Sequence, residues 1–247
     1  MTYLRGAACM TLGIAVAACT GSASARLELV NHTTAAAARG ADRLAGSTSL
    51  RLKMVAVYVV EDIDLATQDN VGRSAMIWLN PECADDISGC NVAGMTLPPG
   101  PRITQYFDLA RPSVEVNAEL NSQGLTISPG SYKYARVELC KAYGGQTQAT
   151  VPTLTWRGPG MTEDRPFTSG DCGRTSLAFD PPLELGANDA VQVTLGYDLA
   201  TSIVSGAPGA SFQLAGIDHW FRDCADVDAS HRVCMDFPDF APSAARL

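Results

Sequence analysis

The stretch LRLKMVAVYVV, Leu50–Val60, indicates the fold class of this 247-residue chain. It is rich in β-branched residues and carries one tyrosine. It begins as an alternation of apolar and polar residues and then becomes apolar on both faces, which is typical of a strand buried inside a β-sandwich. We therefore expect an all-β protein around this segment.

Further β-like segments follow, separated by turn clusters such as Pro129-Gly130 and Pro181-Pro182. Val114–Leu120 alternates most plainly, because its apolar residues all fall at even positions. The other candidate strands are Met76–Leu79, Ile103–Leu109, Gly124–Ile127, Tyr132–Cys140, Val151–Trp156, Ser176–Phe179, Val191–Val204 and Ser211–Leu214. Many short strands with regular turns predict an antiparallel β-sandwich. An immunoglobulin-like sandwich needs about 100 residues, so we expect residues 50–247 to form one elaborated sandwich with long loops.

Composition excludes several classes of protein. The chain is 46% apolar and 18% charged, with a formal net charge of −8. It is too apolar for a disordered chain. It has no Lys/Arg-rich stretch, so we expect no nucleic-acid partner.

The N-terminus has the features of an export signal. Arg5 is the one charge before the apolar run Ala7–Ala18, which is shorter than the roughly 20 residues of a spanning helix. The run ends in Val16-Ala17-Ala18-Cys19, which resembles the bacterial lipobox. We expect residues 1–18 to be a signal peptide and Cys19 to be acylated, with Thr20 favouring the outer membrane. The alternative is an ordinary secretory signal that is cut near Ala23 or Ala25.

The segment between Cys19 and Ser49 is rich in Ala, Ser, Thr and Gly, as tethers are. We assign Thr20–Ala25 to a tether. Arg26–Val30 alternates like a strand and is a candidate first strand, so Arg26–Ser49 stays ambiguous.

Six cysteines remain after Cys9 leaves with the signal and Cys19 is acylated. Even cysteine numbers in an exported chain favour disulfides. Proximity favours pairing within short loops, which contributes about 2–3 kcal/mol per loop, and elimination leaves the third pair. Zinc is the weaker alternative, since its sites prefer C-x₂₋₄-C pairs with nearby histidines. The expected pairs are Cys83–Cys90, Cys224–Cys234 and Cys140–Cys172.

Three segments resemble an uncharacterised family of bacterial lipoproteins, a domain of unknown function. They are Ile103–Leu109 (ITQYFDL), Leu125–Leu139 (LTISPGSYKYARVEL) and Val191–Val204 (VQVTLGYDLATSIV). The resemblance covers about residues 50–204 and implies a transthyretin-like (prealbumin-like) sandwich. The family supplies no catalytic residues, so the resemblance implies fold and location and leaves the ligand open.

One aromatic residue in the second segment has a physical interpretation of its own. Pro129 and Gly130 favour a turn, and Tyr132 opens the next strand. We expect Tyr132 to point inward and anchor the strand register.

Acidic clusters and one tryptophan are the candidate ligand sites. Asp62, Asp64 and Asp69 follow the first buried strand and offer the oxygen ligands that Ca²⁺ prefers. Trp156 stands at a predicted strand–loop junction, which suits stacking on a sugar. The competing interpretation is that the acids are solvated loop residues and that Trp156, like Trp78, packs in the core.

Catalytic motifs are not found in the sequence. It has three histidines and no G-x-S-x-G, H-E-x-x-H or phosphate-binding glycine pattern. His219 and His231 lie near the last cysteine pair, but no nucleophile accompanies them. We expect a non-enzymatic, lipid-anchored cell-envelope protein that binds an unknown envelope protein or glycan, with no cofactor. The alternative is a Ca²⁺-dependent carbohydrate-binding module.

Overall fold

The computed structural model describes residues 21–32, 48–64, 69–83, 105–139, 154–158, 160–166, 173–199, 203–206, 222–226, 232–236 and 241–247. Strands dominate these residues. The elements are β1 Ala23–Asn31, β2 Ser49–Leu52, β3 Met54–Ile63, β4 Asn70–Leu79, β5 Phe107–Asp108, α1 Ser113–Leu120, β6 Leu125–Ile127, β7 Gly130–Leu139, β8 Leu154–Arg157, β9 Arg165–Pro166, β10 Gly173–Leu185, β11 Ala190–Tyr197, β12 Ile203–Gly206, β13 Arg222–Asp226, β14 Arg232–Asp236 and β15 Ala241–Arg246.

The strands form four sheets. Their strand orders are β15-β11-β1-β6, β10-β7-β3-β4, β5-β2-β8-β9 and β12-β14-β13. Within the described strands, every neighbouring pair is antiparallel except β1 with β11, which run parallel. The prediction of a sandwich-like all-β fold with antiparallel sheets is confirmed.

One hydrophobic core joins the first three of these sheets. β1 alternates buried and less buried residues, with Leu27 and Leu29 facing the core. β11 does the same through Val193 and Leu195. Each fully buried residue of this size stabilises the fold by about 1.5–3 kcal/mol relative to exposure.

The Leu50–Val60 segment divides at Lys53 into β2 and β3, which join different sheets. β3 lies between β7 and β4, and its residues Val55, Ala56 and Val57 are all fully buried. A strand that is buried on both faces is what the continuous apolar run predicted.

The first strand begins earlier than the tether prediction allowed. β1 starts at Ala23, inside the segment assigned to a tether, and it lies between β11 and β6 at the centre of its sheet. The alternating segment Arg26–Val30 is therefore part of the sandwich, which extends N-terminal of Leu50. The tether composition of Ala23–Ala25 misled the interpretation because small apolar residues also fit a tightly packed inner face, and Ala23 and Ala25 are buried there.

The strand predicted at Val114–Leu120 is a helix, α1. Its buried residues are Val116 and Leu120, which are four apart, whereas Val114 is 76% exposed. A spacing of four places residues on one helix face, and Val116 with Leu120 satisfies both periodicities, so the alternation was ambiguous.

Helix α1 supplies hydrogen-bond partners to the part of β1 that β6 does not reach. β6 pairs with only Ala23–Ala25 of β1. Beyond that point the backbone N–H groups of β1 donate to side chains of the helix and the turn after it. Leu29 N–H donates to Asn117 Oδ1 at 2.8 Å, and Asn117 Nδ2 donates back to the Leu29 carbonyl at 2.8 Å. Leu27 and Asn31 donate to Ser122 and Ser113 at 2.7 and 2.9 Å. Side chains thereby satisfy an edge that otherwise exposes unpaired backbone groups.

Two other predicted boundaries differ from the structure. Pro181-Pro182, expected as a turn, lies inside β10, where the register with β7 shifts between Ala178 and Leu183. Val191–Val204, expected as one strand, contains the end of β11 and the start of β12. Prolines lack the N–H that a ladder needs, so a register irregularity is where a strand accommodates them.

No helix in the described part of the chain is long and apolar enough to cross a membrane.

Candidate functional site

Several chain segments converge at the end of the sandwich where β1 begins, and we call this surface the N-terminal face. Ala23 pairs with Ile127, so β6 ends there and the turn Ser128–Gly130 follows. The turn between β10 and β11 lies alongside, since Asn188 N–H donates to the Ser22 carbonyl at 3.0 Å. The C-terminal Leu247 is also near, because its N–H donates to the Ala190 carbonyl at 2.8 Å.

Ion pairs border the N-terminal face. Arg73 of β4 donates to Glu61 of β3 at 3.1 Å, and Arg246 lies 3.0 Å from Asp189. The Arg73 side-chain hydrogen bonds lower the pKa of the Glu61 carboxyl below its usual value. Exposed pairs of this kind contribute little to the stability of a fold, so their main effect is on the charge of the surface.

The predicted calcium ligands lie beside this face, where β3 ends and β4 begins. Asp62 accepts a hydrogen bond from Lys133, which lowers the pKa of its carboxyl, and its other oxygen accepts from the Ile63 N–H at 2.9 Å. Asp64 and Asp69 are joined through the backbone, where Asp64 N–H donates to the Asp69 carbonyl at 2.9 Å. Among the residues that the structure describes, no three His, Cys, Asp or Glu side chains group closely enough to hold a metal ion. The observed role of Asp62 is thus an ion pair.

A shallow groove of about 690 Å³ opens on the N-terminal face. Arg73 forms one wall, and its Nη1 donates to the Pro129 carbonyl at 2.9 Å. Gly130 makes this approach feasible, because a Cβ there would lie 2.5 Å from the Arg73 guanidinium. The groove is lined by Gly21, Ser22, Arg73, Thr126, Ile127, Ser128, Pro129 and Ala187.

The inward anchor predicted at Tyr132 is present. Its side chain is fully buried in the core, and its hydroxyl donates to the Ser128 carbonyl at 2.7 Å. This bond ties the Pro129-Gly130 turn to β7, and it fixes the shape of the groove wall.

A second cluster lies on the face of β7 opposite the core, and we call it the polar row. Arg136 of β7 stands between Ser176 of β10 and Tyr58 of β3 in the strand register. Its Nε donates to Ser176 Oγ at 2.9 Å, and Nη1 donates to Asn70 Oδ1. Arg136 is only 1% exposed. A buried guanidinium with several acceptors is a structural arrangement rather than a solvent-facing ligand site.

The surroundings of the polar row raise the pKa of Tyr58. Glu138, two residues along β7 from Arg136, is 8% exposed. Burial and the Glu138 charge raise the pKa of the Tyr58 hydroxyl to about 12. Tyr58 therefore stays protonated at physiological pH.

A third cluster surrounds Tyr106, just before β5. The Arg51 guanidinium carbon lies 4.8 Å from its ring centroid, and the Lys53 ammonium lies 4.9 Å from it. Lys53 is 2% exposed, so the ring face helps to solvate a buried ammonium. Sequence reasoning missed this cluster and the polar row, because isolated cations inside strand-like segments carry no spacing signal.

The structure removes the basis of the sugar-stacking prediction for Trp156. Its side chain is 3% exposed and belongs to the core, as the packing alternative predicted for it and for Trp78. Trp156 of β8 lies opposite the buried Leu50 of β2 in the strand register, so its side chain faces the core. A ring that is enclosed in this way has no face to offer a sugar.

Two described strand pairs bear on the expected disulfides. Cys224 of β13 stands directly opposite Cys234 of β14 in the antiparallel register. Leu139 of β7 stands opposite Gly173 of β10 at the last described position of that ladder. Cys140 and Cys172 are the next residues in sequence on each side of that pair.

The remaining predicted residues fall outside what the structure describes. Cys83 ends a short 3-10 turn, Pro81–Cys83, and its side chain is not described. The residues outside the described ranges are Cys19, Cys90, Cys140, Cys172, His219 and His231.

No family model, curated protein or solved structure matches this chain. The resemblance to the bacterial lipoprotein family therefore stays a prediction.

Proposed function

We propose that this chain is a non-enzymatic, lipid-anchored protein of the bacterial cell envelope, which presents a disulfide-linked β-sandwich as a binding or scaffold module. Its partner would be another envelope component, a protein or a glycan. The outer membrane is the proposed location, with acylated Cys19 as the anchor.

The observation that carries this proposal is the register of Cys224 and Cys234. Directly opposed residues of an antiparallel pair have Cα atoms about 4.5–5.5 Å apart. A disulfide needs a Cα separation of about 4.4–6.8 Å. For Cys140–Cys172 the support is adjacency in the sequence: Leu139 pairs with Gly173, and the two cysteines are the sequence neighbours of that pair. One of the three pairs expected from sequence, Cys224–Cys234, thus agrees with a strand register that was not used to choose it.

An opposed pair of cysteines in a strand ladder favours an oxidising compartment, because cytosolic thiols are kept reduced. This agrees with the export signal that ends at Cys19. The disulfides and the lipobox are independent features, one in the folded domain and one in the leader, and both support the cell envelope.

Serine in place of Cys19 tests the proposed anchor. We expect the wild-type protein in the membrane fraction and Cys19→Ser in the soluble or unprocessed fraction, because serine removes the acylated thiol. Several acyl chains bind firmly, since each buried CH₂ contributes about 0.8 kcal/mol. Fractionation with mass spectrometry of the mature N-terminus provides the measurement. A wild-type N-terminus that begins elsewhere than an acylated Cys19 would falsify the anchor.

Peptide mapping without reduction tests the proposed pairs. Trypsin should release residues 223–232 linked to residues 233–246, and residues 137–141 linked to residues 158–174. Removing Cys224 and Cys234 together, both to alanine, should lower the free energy of unfolding by about 2–3 kcal/mol, as expected for a short loop. Both cysteines reacting with iodoacetamide in the unreduced protein from the envelope would contradict the pairing.

A further inference from the structure

The chain is fixed in place almost immediately after the proposed anchor. Asn188 N–H donates to the Ser22 carbonyl at 3.0 Å, and Ser24 N–H donates to the Asp189 carbonyl at 2.8 Å. Gly21 packs so closely on the β10–β11 turn that a Cβ there would lie 2.7 Å from the Ala187 Cβ. In the sequence, Thr20 is the one residue between Cys19 and Gly21.

This spacer is short on the scale of a lipid bilayer. An extended chain advances at most about 3.3–3.6 Å per residue, so the two steps from Cys19 to Gly21 reach about 7 Å. The headgroup region adds about 10–15 Å to the bilayer in total, or about 5–8 Å per leaflet. An acylated Cys19 thus holds Gly21 at the level of the headgroups.

We propose that the N-terminal face rests directly on the phospholipid surface, so that the sandwich has a fixed orientation on the membrane. This inference depends on the proposed acylation of Cys19. The occupant of the face is the headgroup layer of the membrane that holds the anchor. The surface is defined by Ser22, Arg73, Ser128, Pro129, Ala187 and Leu247.

The side chains of this face suit a headgroup layer. The guanidinium of Arg73 is about half exposed beside the groove, and that of Arg246 is 73% exposed. Both are paired with carboxylates, Arg73 with Glu61 and Arg246 with Asp189, so a phosphate would compete with these acids or share the guanidinium groups with them. Leu247 adds an exposed apolar side chain at the same end.

The orientation has a consequence for partners. β1 contains nine residues, so it extends about 30 Å from the N-terminal face to its other end at about 3.3 Å per residue. The far end of β1 carries α1, because Asn31 N–H donates to Ser113 Oγ. Exposed Val114 of α1 therefore marks the end that is open to partners.

Cysteine accessibility tests the orientation on the acylated full-length protein. Ser128→Cys places a thiol on the N-terminal face, and Val114→Cys places a matched thiol at the far end; both positions are exposed. The proteins are purified from membranes and reconstituted in vesicles of phosphatidylethanolamine and phosphatidylglycerol. A polyethylene-glycol maleimide is the probe, and the unsubstituted protein gives the background. We expect Ser128→Cys to react about an order of magnitude more slowly than Val114→Cys.

A spacer variant tests whether the membrane, and not the protein itself, protects the thiol of Ser128→Cys. Inserting about 20 Gly/Ser residues between Thr20 and Gly21 makes a flexible tether, and we expect it to restore the reactivity of Ser128→Cys. Equal reactivity of the two cysteines without the spacer overturns the orientation while acylation stands. Protection that persists with the spacer also overturns it. An N-terminus without acyl groups overturns the proposed function and this inference together.

Discussion

Alanine in place of Trp78 should lower the free energy of unfolding by about 3–5 kcal/mol, the usual loss for a buried Trp→Ala change. The Trp78 side chain is 3% exposed, and its indole meets the Phe107 ring edge-on at a centroid distance of 5.7 Å. Its Nε1 donates to the Leu120 carbonyl at 2.9 Å. The substitution leaves a cavity and an unpaired carbonyl at the end of α1. Urea unfolding followed by circular dichroism measures the loss.

Two further variants separate packing from the hydrogen bond and test the helix. Trp78→Phe keeps most of the apolar contact but loses the donor, so we expect about 1–3 kcal/mol of destabilisation. Val114→Ala alters an exposed helical position, where alanine is the better helix former. We expect it to be neutral or slightly stabilising. A marked loss at Val114 would instead favour the strand that the alternation predicted.

The sequence predicted the sheet-forming part of the fold well where burial was decisive. Leu50–Val60 is apolar on both faces, and the structure buries β3 on both faces. The anchor role of Tyr132 was also predictable, because Pro-Gly followed by an aromatic residue specifies a turn and an inward strand residue. In both cases the local pattern predicted which residues are buried, although it did not indicate that Leu50–Val60 divides at Lys53 into two strands.

The errors arose where a local pattern allows two solutions. Val116 and Leu120 are consistent with a strand face and a helix face, and only tertiary contacts select the helix through Asn117 and β1. Ala23 and Ala25 are small enough for a tether or for a tight sheet interface. Pairing of β1 with β6 and β11 places them in the sheet.

The candidate site was predictable only in part. Asp62 was singled out for its charge, but its partner Lys133 lies on another strand, 71 residues away in sequence. The N-terminal face depends on five chain segments that meet only after folding. Such convergence follows from strand order, which no single stretch of sequence contains.

Alanine in place of Arg136 should also lower the free energy of unfolding by about 3–5 kcal/mol. Removing one member of a buried charged network costs this much, because the groups around it stay buried with fewer partners. Ser176 Oγ and Asn70 Oδ1 lose the hydrogen bonds that Arg136 donates, and a side chain that is only 1% exposed leaves a cavity. Chemical denaturation at neutral pH measures the change.

Two conservative variants show whether the charge or the shape of Arg136 is required. Arg136→Lys keeps the charge but lacks the planar fork that reaches Ser176 and Asn70 together, so we expect a smaller loss of about 1–3 kcal/mol. Arg136→Met keeps the volume and removes the charge. If the hydrogen-bonded charge stabilises the native state, Arg136→Met is clearly less stable than Arg136→Lys. If Arg136→Met is as stable as the wild type, the Arg136 side chain contributes only its volume. The stabilising role of its hydrogen bonds is then contradicted.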